Sequence, residues 1–272
     1  MSTYDIEDDD LGPEDEILDR AWQALDEGEF ERALAALEEL DPDWPERWIP
    51  EALARLELGD LRRAHALIAH ASAIGDESDP DLLWARAALA LREWRLEEAQ
   101  TLLERMSAAE PSAAVYERLS LCADLRGDFD TADALLARAQ ALAPETSLPA
   151  RLTPEEFEAV VDEAVQLLPV DFQEPISATE IVVEPVPLEW MIDASDPAET
   201  PPDLLGLFVG ASELDESDAE VLPRRIFLFQ RNLERSTRTR DELVQEIRVT
   251  LFHEIGHMLG FDEEGVAAMG LE

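Results

Sequence analysis

Near the end of the chain stand two histidines four residues apart, His253 and His257, with Glu254 directly after the first, in the run LFHEIGHMLG. On an α-helix a spacing of four puts both imidazoles on one face, where their ring nitrogens can grip a single metal ion. Glu254 projects beside them, so its carboxylate can take a proton from a water molecule and hand it to a leaving amine. The chemistry open to such a set is metal-assisted hydrolysis. The other two histidines, His65 and His70, are five apart and share no helical face, so packing or plain exposure is the reading for them.

Those side chains need a helix beneath them, and the surrounding residues encode one. Thr239 with Glu242 forms a capping box. Val244, Ile247, Leu251, Ile255 and Met258 recur as a buried stripe, and Gly260 suits a left-handed C-terminal cap. Three carboxylates follow, Asp262, Glu263 and Glu264. Upstream, Thr153 as N-cap, Pro154 and Glu156 start another helix, with Phe157, Val160, Val161, Ala164, Val165 and Leu168 on one face. Between the two helices lie β-type runs at 180–184, 204–209 and 225–229, separated by Pro- and Asp-rich loops, so this half is α+β. Seven of its eight arginines fall between Arg224 and Arg248, placed for ion pairs with local acidic loops or for clamping a substrate carboxylate.

The first half is different. A turn residue, then an aromatic or Leu two positions on and Ala five positions on, recurs as Gly28-Phe30-Ala33, Gly59-Leu61-Ala64, Trp94-Leu96-Ala99 and Gly127-Phe129-Ala132. The steps between first positions are 31, 35 and 33 residues, the period of a helix-turn-helix repeat that buries its apolar face by stacking on neighbours. Pro42, Pro80, Pro111 and Pro144 punctuate the units, because proline cannot continue a helix. The pattern resembles tetratricopeptide repeats, with Trp94 in place of the turn glycine in the third unit. Such an array either holds a protein or peptide on its concave face or serves as a packing scaffold.

Composition narrows the partners. The 272 residues carry 64 acidic and 21 basic side chains, a formal net charge of -43, and every basic residue is Arg. The excess is spread over both halves, so the field repels phosphate backbones and anionic lipid and excludes nucleic acid and membrane as partners. Basic partners and a general acidic bias of the source both remain open. The first 16 residues are acidic and poor in large apolar side chains, which predicts disorder, with order beginning near Ile17. They lack the features of a signal peptide, no apolar run reaches membrane-spanning length, and the single cysteine, Cys122, sits in an apolar helical stretch. A cytoplasmic location is the expectation.

Residues 153–272 resemble the minimal zincins, small bacterial metallopeptidase-like domains with a stripped-down matrix-metalloproteinase fold. The resemblance rests on the capped helix with VDEAVQLLP, the runs IVVE, LLGLFVGAS and RRIFLFQRNL, and above all LFHEIGHMLGFDEE. It implies a short sheet over the active-site helix and one zinc ion held by His253, His257 and a carboxylate. That third position maps to Glu263, where relatives more often carry Asp, with Asp262 as the alternative donor; no separate Met-turn is evident, Met269 being the candidate for its analogue. Glu254 is then the general base.

The expected architecture is multidomain: a disordered stretch at 1–16, an all-α tetratricopeptide-like domain at 17–145, a linker at 146–152 and an α+β zincin-like domain at 153–272. The expected function is zinc-dependent hydrolysis of a peptide or protein substrate, with the helical repeats recruiting a partner and the substrate strand pairing with a sheet edge such as 180–184. The alternative is a repeat-based adaptor whose zincin module is metal-stabilised and weakly active or inactive.

Overall fold

The computed structural model describes residues 12–144, 148–149, 151–168, 170–177, 179–192, 200–210 and 224–261. They fall into two compact units, 12–111 and 112–261. The first unit is three helical hairpins: α1 (Pro13–Asp26) with α2 (Phe30–Leu37), α3 (Trp48–Glu57) with α4 (Leu61–Ile74), and α5 (Pro80–Arg92) with α6 (Leu96–Ala109). A fourth hairpin, α7 (Ala113–Leu125) with α8 (Phe129–Leu142), belongs to the second unit. α1 starts at Pro13, ahead of the expected Ile17. Gly12 precedes it, the Asp15 carboxylate accepts from the Gly12 N–H at 3.1 Å, and Glu14, Asp15 and Glu16 suit the positive end of the helix dipole.

All four hairpins turn in the same way. Gly28, Gly59, Trp94 and Gly127 stand at φ of 74°, 78°, 56° and 75°. In the first turn the Gly28 N–H donates to the Leu25 carbonyl and the Glu29 N–H to the Ala24 carbonyl, and the same offsets recur at the other three. This is the Schellman ending, which needs one left-handed residue and so favours glycine. Trp94 is the only non-glycine among the described residues at positive φ. Five positions beyond each turn residue, Ala33, Ala64, Ala99 and Ala132 are fully buried, small enough to let each helix pair approach closely.

The rest of the second unit packs two long helices on one face of a small sheet. α9 (Pro154–Gln166) and α12 (Arg240–Met258) meet through Phe157, Val160, Val161 and Ala164 against Leu243, Ile247, Leu251 and Ile255. The sheet has the order β1-β3-β2, with β1 (Glu180–Glu184) parallel and β2 (Gly206–Val209) antiparallel to the central β3 (Arg225–Phe229). Alternation along β3 divides its side chains: Ile226 and Leu228 face the helices, while Phe227 and Phe229 face the other side with Met191, from a short 3-10 turn at Glu189–Met191. α10 (Val170–Ser177) precedes β1, and α11 (Gln230–Ser236) leaves β3 directly.

Asp124 of α7, fully buried, ties the fourth hairpin to α11. Its carboxylate accepts from Arg231 Nε at 2.7 Å and from Arg235 Nη2 at 2.5 Å, and Arg231 also donates to Asp133 of α8 at 2.7 Å. Arg151 bridges Asp133 and the buried Glu234 at 3.1 and 2.9 Å. Arginines of the second half do pair with carboxylates, but for Arg231 and Arg235 the partners lie on α7 and α8 rather than in nearby loops.

Candidate metal centre

The helix that carries the histidine pair is fixed at both ends. At its start the Thr239 hydroxyl accepts from the Glu242 N–H, and the Glu242 carboxylate accepts from the Thr239 N–H, each at 3.2 Å. At its end Gly260, at φ 92°, donates to the His257 carbonyl, and the Phe261 N–H reaches back to the Gly256 carbonyl at 3.0 Å. The apolar stripe between those ends sets the rotation of α12. It leaves His253 and His257 half-buried and turns Glu254, 6% exposed, toward β2.

The two imidazoles converge. His253 Nε2 and His257 Nε2 stand 3.0 Å apart, with ring planes inclined at 80°. Two lone pairs at that distance repel, so the pair calls for a proton or a metal ion between them. Two nitrogens on one tetrahedral zinc ion stand about 3.3 Å apart, so the spacing fits with a shift of a few tenths of an ångström. His257 Nδ1 lies 3.1 Å from the Phe261 carbonyl oxygen. A carbonyl only accepts, so the proton sits on Nδ1 and Nε2 turns its lone pair toward His253, the orientation that metal-bound histidines receive from an outer hydrogen bond.

Glu254 is held at the sheet. Its Oε2 accepts from the backbone N–H of Phe208 at 2.6 Å. The approach of α12 to β2 is close enough that a Cβ on Gly206 would lie 2.5 Å from Thr250 Cγ2 and 3.2 Å from Glu254 Cγ. The edge of the sheet beside the candidate base is therefore β2. The run 180–184, expected as the edge for substrate, is β1 at the opposite edge of the sheet.

Of the expected site residues, the structure brings His253, His257 and Glu254 together on one helix. Glu263, Asp262 and Met269 lie outside the described residues, and among the described residues no group of three or more His, Cys, Asp or Glu is placed to hold a metal. His65 and His70 belong to the first unit, where His70 packs against Trp48, ring centroids 5.7 Å apart. Three participants went unread in the sequence: the Phe208 N–H, the Phe261 carbonyl and Gly206. Only Gly206 left a signal, as a glycine inside an apolar strand, which marks a close approach of another element.

Among the described residues no helix is long and apolar enough to cross a membrane. No curated protein matches the chain. Residues 176–271, from the last two residues of α10 onward and including the whole sheet and α12, match the model of the zincin-like metallopeptidase family, so this stretch is similar to zincin-like metallopeptidases.

Proposed function

We propose that the chain is a zinc-dependent metallopeptidase, with His253, His257 and Glu263 as the zinc ligands, Asp262 as the alternative third donor, and Glu254 as the general base. The observation that carries this reading is the convergence of the two Nε2 atoms at 3.0 Å, with a buried carboxylate on the same helical turn. The family match over residues 176–271 supports it. When bound, zinc supplies Lewis acidity, polarising a peptide carbonyl and acidifying water.

The chain's own groups do the rest. Glu254 takes the proton of the attacking water and returns it to the leaving amine, and the Phe208 N–H holds its carboxylate at the sheet until a substrate carbonyl takes that bond. The Phe261 carbonyl holds the His257 ring in the tautomer that presents Nε2. A peptide substrate is recognised as an added strand on β2. In the β2-β3 pairing the Phe229 N–H donates to the Leu205 carbonyl, so in an antiparallel ladder residues 205, 207 and 209 turn their peptide groups to β3 while Gly206 and Phe208 turn theirs outward.

The four hairpins with one shared turn geometry support a tetratricopeptide-like role, recruitment of a protein partner or substrate. Peptide cleavage by the zinc-loaded chain, read by mass spectrometry on a mixed peptide pool, tests the enzymatic reading. Glu254→Gln, whose amide oxygen still accepts from Phe208, is expected to keep fold and metal and to lose at least about a hundredfold in turnover. Unchanged turnover in that variant assigns the hydrolysis to another group. A fully loaded wild type that cleaves nothing favours the adaptor with an inactive module.

A further inference from the structure

The second unit contains a cavity of about 290 Å³ bounded by α7, α8, Pro149 and the stretch from Arg235 to Arg238. Leu121, Leu136, Ala139 and Leu148 give it an aliphatic wall. Two charged side chains on that wall are unengaged by opposite charge. Glu117 makes no hydrogen bond or ion pair among the described residues. The backbone N–H of Arg238 donates to the Glu242 carboxylate at 2.7 Å, but its guanidinium has no carboxylate partner there; Nη1 donates to the carbonyls of Arg235 and Thr237 at 3.1 and 3.4 Å.

Those two bonds fix the guanidinium plane and leave the Nε and Nη2 edge without an acceptor, the pair of N–H groups that grips a carboxylate through two parallel bonds. Arg235 also lines the cavity, its guanidinium already held by Asp124 at 2.5 Å and Ser120 at 3.1 Å. Burial holds its guanidinium below the ordinary arginine pKa even though Asp124 opposes that shift. Arg118 and Asp203 also line the cavity and have partners of their own.

We infer that this cavity binds a zwitterionic aliphatic α-amino acid, its carboxylate on Arg238, its ammonium on Glu117 and its side chain against Leu121 and Leu136. The volume lies at the lower end of small-molecule sites, room for one residue rather than a nucleotide cofactor. Glu117 disfavours a dianion, which separates this ligand from phosphates and dicarboxylates. The inference does not depend on hydrolysis at His253 and His257, none of which lines the cavity.

Calorimetric titration of the full chain with L-leucine, N-acetyl-L-leucine, L-leucinamide, leucyl-leucine and succinate tests it. Leucine is expected to bind saturably, and capping either end to weaken binding about tenfold or more, the effect of losing a hydrogen bond to a charged group. Arg238→Gln is expected to remove the preference for leucine over leucinamide, and Glu117→Gln the preference over N-acetyl-leucine. Neither side chain is buried, and unchanged thermal melting shows that each variant folds. No saturable heat with leucine, equal affinity for leucine and its capped forms, tighter binding of succinate or leucyl-leucine, or preferences that survive in both variants would each overturn the inference.

Discussion

The carboxylate of Glu254 and the backbone N–H of Phe208 are joined by a 2.6 Å hydrogen bond, so the candidate base is anchored to the outward-facing edge of β2. That edge is where an added peptide strand would pair, and the Phe208 N–H is one of the donors it would seek. On the proposed reading, base and substrate would compete for one amide, and a substrate carbonyl that took the bond would release the carboxylate for the proposed proton transfer.

The contact exists because residue 206 has no side chain. A Cβ there would meet Thr250 Cγ2 at 2.5 Å, Glu254 Cγ at 3.2 Å and the Phe227 carbonyl oxygen at 3.2 Å. Gly206→Ala is expected to destabilise the second unit by about 1–3 kcal/mol, the cost of overpacking a tight contact. Urea denaturation measures this, and an unchanged midpoint would mean that α12 and β2 are less closely apposed than described.

Asp124 is the second position where one side chain organises many others. Asp124→Asn leaves Arg231 and Arg235 facing a neutral amide inside the protein, and a loss of about 3–5 kcal/mol is expected for breaking a buried pair on one side. Asp133, 47% exposed, serves as control, since Asp133→Asn is expected to cost less than about 1 kcal/mol. Similar losses in the two variants would show that Asp124 does not carry the cluster.

Burial pushes the Cys122 thiol from 9.0 up to about 12, with Arg118, Arg126 and Arg235 opposing. The folded state then keeps a proton that the unfolded chain gives up. Its contribution is fully present below pH 9.0 and is lost as pH rises toward about 12. Over that window stability is expected to fall by up to about 1.4 kcal/mol per pH unit on this account, and Cys122→Ala to flatten the slope. Chemical denaturation at several alkaline pH values measures it; an equal slope in the variant would place the pH dependence elsewhere.

What the sequence made legible follows from local signals. The bounds of β1 and β3, the capping boxes at Thr153 and Thr239 and the left-handed Gly260 were readable because periodicity and caps are properties of a few adjacent residues. α10 was hidden by Pro175, and α11 by its direct continuation from β3 with no side-chain cap to mark its start. The partners of Asp124 lie 107 and 111 residues away, and the Phe208 amide lies 46 residues from Glu254, so neither contact leaves a spacing to find. The histidine pair was legible because helical spacing alone brings its nitrogens together.

Zinc retained per chain against a competing chelator tests the central claim most directly. The wild type is expected to hold about one zinc per chain, His257→Ala to lose it, and Glu263→Ala to release it at far lower chelator concentration than Asp262→Ala. A metal-replete wild type with no stoichiometric zinc, together with no rise in Tm on zinc addition, would contradict the account.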